Sequence, residues 1–286
     1  MDTRFLNSLL AVAETGSIAA AARQQGLTAA AVSQRIRVLE AEFGAPLLNR
    51  TAHSAQPTEA CLRLLPAARQ LVRDAERLAG KIDPDGVGGP FRLGAVSTAL
   101  SEFVPDVVRA FREKAPRATL TIRPGTSAGL YEELLAGSVD AALTVEPPFD
   151  LPKEIVSWPL AEQPVRHAVP AGAEAATQEL PWIVYDRQSW GGRRIWERYG
   201  AGISSGHILC ELDAVETIAM MVGEGIGQAI LPVWAGLTDQ HPGLVLKSLP
   251  EKLVRRMVCL QKHPSAAPSL SGLLRKILQL QVNGSE

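Results

Sequence analysis

Two pairs of hydroxyl side chains stand where an alternating strand–helix chain can hold a small anion. Ser97-Thr98 follow the apolar run Phe91 to Val96, and Thr126-Ser127 follow the run Ala118 to Ile122. Hydroxyls beside the free N–H groups of a helix start suit a carboxylate, although each pair taken singly also reads as an ordinary helix cap. Further along, Asp186, Trp190 and Gln228 are weaker candidates for the same site. Gln228 is polar within an apolar strand pattern, so it needs a partner if buried. A second polar set lies near the start: Ala30, Ala31, Ser33, Gln34, Arg35 and Arg37, with Ser17 and Thr28 before them. Small alanines permit close approach to a surface, and Ser, Gln and Arg can hydrogen-bond base edges or phosphates. Catalytic chemistry finds little support. Gly223-x-Gly225-x-Gly227 has the wrong spacing for a dinucleotide loop and leads into a strand pattern. No Ser-His-Asp, Walker or metal-ligand constellation is evident, so neither catalysis, a metal nor a cofactor is expected.

The elements that must position these residues can be read from spacing. Phe5, Leu9 and Val12 form one apolar helical face, and Gly16 ends that helix. Ser17 caps a short helix from Ile18 to about Gln25, Gly26 breaks it, and Thr28 caps a third helix with Val32, Ile36 and Leu39 turned inward. Helix, Gly-containing turn, helix is a helix-turn-helix pattern, whose second helix enters the DNA major groove. Pro46 to Arg50, a polar loop to Gln56, and Pro57 then predict a two-stranded wing, placing Arg50 and His53 near phosphate or the minor groove. Thr58 and Glu59 open a long helix of about 35 Å. Along it Cys61, Leu65, Ala68, Val72, Ala75, Ala79 and Ile82 step by four and three. This heptad-like seam packs either on the same helix of a second subunit or on its own domain.

From Phe91 the pattern becomes α/β: strands at Phe91–Val96, Ala118–Ile122, Asp140–Val145, Val165–Val169, Trp182–Tyr185, Gly225–Leu231 and Leu253–Leu260 alternate with helices. Such alternation predicts parallel sheets covered on both faces. One helix is expected from Glu102 to Ala115.

Composition sets the outer bounds. The chain has 286 residues, 46% of them hydrophobic, and a net charge of −1. Up to Gly80 there are nine Arg, no Lys and seven acidic residues, a net +2; the remainder has 20 basic against 23 acidic residues, a net −3. The breaker run Asp83 to Pro90 lies at that change. Three scattered cysteines oppose a disulfide framework. The start lacks a basic and then apolar leader, and no apolar run reaches membrane length, so a cytoplasmic protein without a membrane partner is expected.

Across its first sixty residues the chain resembles the LysR-type transcriptional regulators. Phe5 to Glu14, Gly16-Ser17-Ile18, Ala21-Ala22, Ala31 to Ile36, Leu39-Glu40, Phe43-Gly44, Pro46-Leu47-Leu48, Arg50-Thr51 and Pro57 to Ala60 carry this, in the family's order and spacing. Ala29-Ala30 stand where the family commonly has Gln-Pro, and Cys61 where it usually has Gly, so the family's Gln contact to DNA is not carried over. The runs Ala31 to Ile36 and Pro46 to Thr51 are also similar to the subgroup regulating basic amino-acid export. Downstream, Gly137 to Leu143 and Gly223 to Pro232 match the family's effector domain.

The resemblance implies an α/β chain with a winged helix-turn-helix over residues 1–58, a linker and dimerisation helix over 59–82, a hinge at 83–90 and an effector-binding domain over 91–286. That domain would resemble periplasmic solute-binding proteins. Its first lobe would take 91–162 and 265–286 and its second 163–264, with crossings near Leu160 to Val165 and Leu260 to Pro264. The implied partners are double-stranded operator DNA, a small organic effector such as an amino acid or carboxylate between the lobes, and further copies of the chain as a dimer and tetramer. The competing reading is a solute-binding protein or other non-catalytic ligand-binding module.

Overall fold

The computed structural model describes residues 2–51, 54–81, 87–173, 179–204, 207–262 and 269–283. Contacts divide the chain into two compact units, one built essentially on Met1–Pro90 and one on Phe91–Leu135 with Val139–Glu286.

The first unit begins with helix α1 (Thr3–Thr15), capped by the Asp2 carboxylate accepting from the Arg4 N–H at 2.9 Å and ended by Gly16 at φ 66°. Helix α2 (Ile18–Gln24) is capped by Ser17 and α3 (Ala29–Phe43) by Thr28, whose hydroxyls accept from the Ala20 and Ala31 N–H groups at 3.3 and 3.2 Å. Gly26, at φ 64°, makes the left-handed turn between them without the penalty a β-carbon would bring. Leu6, Leu9 and Val12 meet Ala21, Ala22, Val32, Ile36 and Leu39 in one core, all at most 3% exposed. Each large aliphatic side chain buried there contributes about 2 kcal/mol. Strands β1 (Leu48–Arg50) and β2 (Ala55–Pro57) pair antiparallel with Asn49 opposite Gln56, giving the expected wing. The Glu40 carboxylate accepts from the Leu47 and Leu48 N–H groups at 3.0 and 3.3 Å and so fixes the wing to the end of α3.

Helix α4 (Glu59–Lys81) starts at Thr58, whose hydroxyl accepts from the Cys61 N–H at 3.1 Å and donates to the Pro46 carbonyl at 2.9 Å. Cys61, Leu65, Ala68 and Val72 join the core of their own unit, against α1. That part of the seam is therefore intramolecular. Ala75 is half-buried, the Ala79 side chain and Ile82 lie outside the described residues, and among the described residues the exposed large apolar side chains of α4 are Leu62, Leu71 and Leu78.

The second unit is α/β. Its main sheet has seven strands in the order β10 (Leu244–Lys247), β6 (Ile155–Pro170), β11 (Val254–Lys262), β5 (Ala141–Val145), β3 (Gly89–Ala95), β4 (Ala118–Pro124), with β9 (Ala229–Pro232) also on β6. β3 runs parallel to β5, whereas β11 is antiparallel to both β5 and β6. A second parallel pair, β7 (Trp182–Tyr185) and β8 (Ile208–Leu212), joins β9 through the Ile183 N–H, which donates to the Gln228 carbonyl at 2.8 Å. The sheets are thus mixed rather than purely parallel, because β11 runs antiparallel between β5 and β6, and β6 runs antiparallel to β9 and β10. β6 crosses from one lobe to the other. Residues 155–164 pair with β11, and from Val165 onward β6 pairs with β9 and β10. The pairing of β6 changes at Pro164/Val165. The return crossing differs from expectation: β11 already pairs with β6 from Val254, so the return precedes Val254 rather than falling at Leu260 to Pro264.

Helices α5 (Ser97–Glu102) and α6 (Val104–Lys114) replace the single expected helix. Pro105 sits in the first turn of α6, where its missing N–H costs nothing. Helices α7 (Ser127–Ala136), α8 (Trp190–Ser204), α9 (Val215–Gly223), the short α10 (Leu237–Gln240) and α11 (Leu270–Asn283) complete the unit. Among the described residues no single helix is long and apolar enough to cross a membrane.

Candidate functional site

A cavity of about 290 Å³ opens between the two lobes of the α/β unit. Ser97 and Thr98, after β3, and Thr126 and Ser127, after β4, all line it. Thr126 caps α7, its hydroxyl accepting from the Gly129 N–H at 3.1 Å, and the buried Ser127 hydroxyl accepts from the Val145 N–H at 3.1 Å. Thr98 is fully buried and accepts from Arg255 Nη2 at 2.9 Å.

Three further lining residues with polar side chains, Tyr185, Asp213 and Arg255, escaped the sequence reading. Tyr185 and Asp213 stand at the carboxyl ends of the parallel strands β7 and β8, where ligands of open α/β sheets gather. The same rule finds Asp213 only once β8 is recognised. Arg255 is the second residue of β11. Strand alternation gave a signal here: in Arg255-Arg256 the two side chains take opposite faces, so one guanidinium must point inward. Arg255 is 4% exposed and Arg256 is exposed.

The Arg255 guanidinium is held by neutral groups. Gln163 Oε1 accepts from its Nε at 2.8 Å and its Nη2 at 2.6 Å, and the Tyr185 hydroxyl accepts from Nη1 at 3.4 Å. Gln163 is oriented in turn by donating from Nε2 to the Glu102 carboxylate at 2.6 Å. Burial raises the Glu102 carboxyl above its ordinary range, against that hydrogen bond. Burial also raises Asp213, helped by the negative charge of Asp186 and opposed by Ser189 and Arg255. Burial pushes the Tyr185 phenol up, so it remains a neutral hydrogen-bonding group. No carboxylate among the described residues lies within ion-pair distance of Arg255. A guanidinium removed from water without a paired charge is costly, which makes this wall of the cavity a strong anion attractor.

The other three expected effector residues do not line this cavity, each for a visible reason. Asp186 closes the turn before α8, its carboxylate accepting from the Gln188 N–H at 2.8 Å. Trp190 packs edge-on to Phe149 at 5.5 Å and against Tyr131 at 5.9 Å, in an aromatic cluster that joins the lobes. Gln228 finds its buried partners within the second lobe: Nε2 donates to the Leu180 carbonyl at 2.8 Å and Oε1 meets His167 Nε2 at 2.8 Å. Because the Gln228 oxygen must accept, His167 carries its proton on Nε2. Burial lowers the His167 pKa, so the ring is neutral near pH 7. The lobes also meet through a hydrogen bond between Ser101 on α5 and Glu216 on α9.

In the first unit, Ala30, Gln34 and Arg37 form one exposed row on α3, with Ser33 half-buried beside it. Ser17 and Thr28 serve as caps at the helix starts. Arg35 is turned toward α1 instead: Nη1 donates to Ser8 Oγ at 3.1 Å and the guanidinium lies 6.0 Å from the Phe5 ring. It stands apart from the exposed row because position 35 falls on the side of α3 that packs on α1. The Arg50 side chain and His53 lie outside the described residues. Among the described residues no group of three or more His, Cys, Asp or Glu side chains can hold a metal ion.

Residues 3–62 match the family described as "Bacterial regulatory helix-turn-helix protein, lysR family", and residues 84–279 match the "LysR substrate binding domain". The chain is 29% identical over 273 residues to the probable HTH-type transcriptional regulator LrrA of Synechococcus elongatus, covering 89% of this chain and 88% of that one. It is 28% identical over 292 residues to the HTH-type transcriptional regulator IlvR of Caulobacter vibrioides, covering 98% of each. Among solved structures, full-length CbnR in complex with its target DNA aligns over 100% of both chains with a TM-score of 0.67 at 20% identity. With a helix-turn-helix head and a two-lobed effector unit both matched, the chain belongs to the LysR family of DNA-binding transcriptional regulators.

Proposed function

We propose that this regulator responds to a small organic molecule bearing an acidic group, bound in the cavity between the lobes. The observation that carries the reading is Arg255, a buried guanidinium that lines the cavity and whose side-chain hydrogen bonds, among the described residues, go to the neutral Gln163, Thr98 and Tyr185. An anion placed against it supplies the missing counter-charge. Ser97, Thr126 and Ser127, with the first N–H groups of α7, offer further donors to the same group. Residues 1–58 serve as the DNA head, with Ala30, Ser33, Gln34 and Arg37 toward the major groove and the wing, with Arg50 and His53, toward the backbone. The helix over 59–82 serves self-association, through the exposed Leu71 and Leu78, one heptad apart, rather than the buried seam. Residues 91–286 serve as the effector half. The protein acts in the cytoplasm and without catalysis.

Binding shifts lobe closure only if the ligand prefers one arrangement of the lobes. The test is fluorescence anisotropy with a labelled promoter fragment, titrated with carboxylic acids. Substituting Thr98→Val and Ser127→Ala together abolishes the acid-dependent change and leaves DNA affinity without acid intact. A response retained by that double variant refutes the assignment.

A further inference from the structure

The cavity lining carries both signs of charge, and this carries more than an anion site. The Arg255 guanidinium and the Asp213 carboxyl both line it, with the Tyr185 hydroxyl as a shared hydrogen-bonding neighbour. The two act on each other through space, yet no ion pair joins them within 4.0 Å among the described residues, so neither neutralises the other by contact. Asp213 also lies in the negative field of Asp186, whose own carboxylate is occupied by the Gln188 N–H. Neighbouring groups of opposite charge, neither in ion-pair contact, suit a ligand that itself carries both charges close together. We infer that the effector is an aminocarboxylate, its carboxylate held by Arg255 and Thr98 and its ammonium held by Asp213. This rests on the cavity being the effector site, and it narrows the ligand from any small acid to a zwitterion.

The electrostatics agree with the geometry. Burial and Asp186 hold the Asp213 carboxyl above its ordinary range, and an ammonium beside it would relieve both effects. A ligand lacking the ammonium leaves the half-buried Asp213 carboxyl protonated or without a cationic ligand group beside it, and a charge-assisted contact of this type corresponds to about tenfold or more in affinity.

The test uses the full-length protein and the twenty L-amino acids, each set against the acid that has hydrogen in place of the α-amino group. L-Leucine against 4-methylpentanoate and L-norvaline, added to the panel, against pentanoate are examples. Thermal shift selects binders and calorimetry measures them. At least one amino acid binds, at least tenfold more tightly than its deaminated acid, and Asp213→Asn removes that preference by weakening the amino acid while the deaminated acid binds at least as tightly as before. Comparison of the matched pairs on the unaltered protein stands whether or not the variant folds. Equal affinity within each pair, or no binding by any amino acid, overturns the inference. The cavity reading survives that outcome if deaminated acids bind and the Thr98→Val, Ser127→Ala protein loses them. It falls with the inference if neither series binds.

Discussion

Ser17 and Thr28 satisfy N–H groups three residues on, and both roles are plain in the sequence. Thr28→Ala should lower stability by about 1 kcal/mol, read as a drop in melting temperature. Arg255, Gln163, Glu102 and Thr98 form a connected set only because α5, β6 and β11 bring residues 61 to 157 positions apart together. No local pattern announces that set beyond the two adjacent arginines. On α3 the two guanidiniums within the head have different tasks. Arg37→Ala should weaken DNA binding and reduce the salt slope by about one, measured by anisotropy over a salt series. Arg35→Ala should instead lower the melting temperature of the head by removing its contacts to Ser8 and Phe5. Asp213 supplies a sign test. Its folded pKa is raised, so the stability it contributes is full below its unfolded value near 3.8 and is lost as pH rises through the folded value. Asp213→Asn should therefore raise the melting temperature at pH 7 in the absence of ligand and flatten its dependence on pH just above 4. An unchanged profile would show that the carboxylate is not held in the charge-starved pocket described.

Elements with a strong period or a clean cap were legible, and those interrupted or half-exposed were not. α1, α2 and α3 fell close to their expected bounds because Gly, Ser and Thr punctuate them, and β7 because Pro181 and Asp186 bracket its apolar run. β6 was recognised only in its second half. Pro159 and Pro164 interrupt it, and proline inside a strand normally argues against one. The chain accommodates Pro159 with a bulge, the register against β11 jumping from Ala161 to Pro159 so that Leu160 has no opposite residue. β8 alternates half-buried and exposed positions and carries Glu211, which hid it. The seam of α4 was legible as a seam, but its partner was not. Periodicity gives the existence of an apolar face and says nothing of whether the matching face lies in the same chain. The structure gives Cys61, Leu65, Ala68 and Val72 to α1 and leaves Leu71 46% and Leu78 57% exposed. Replacing both exposed leucines with Glu should shift the protein toward monomer in sedimentation velocity while circular dichroism stays unchanged.

At the scale of the effector unit, contacts outside the cavity that hold the lobes together include Ser101 with Glu216, Glu146 with Arg194, and Tyr131 and Phe149 with Trp190. They bias the lobes toward closure before any ligand arrives. Trp190→Ala should thus weaken ligand binding although Trp190 does not line the cavity, since part of the ligand's binding energy would then be spent on closing the lobes. Isothermal titration calorimetry would show the weaker affinity; an unchanged value would limit the cluster to local packing. The crossing strand carries a different consequence. Because β6 is a single sixteen-residue strand whose first part is hydrogen-bonded into one lobe and whose last part is hydrogen-bonded into the other, neither lobe can melt alone without breaking a ladder that its neighbour shares. Amide protons at Ala161, Gln163 and His167 should exchange with deuterium at one common, slowest rate, and heating should melt the whole effector half in a single calorimetric peak.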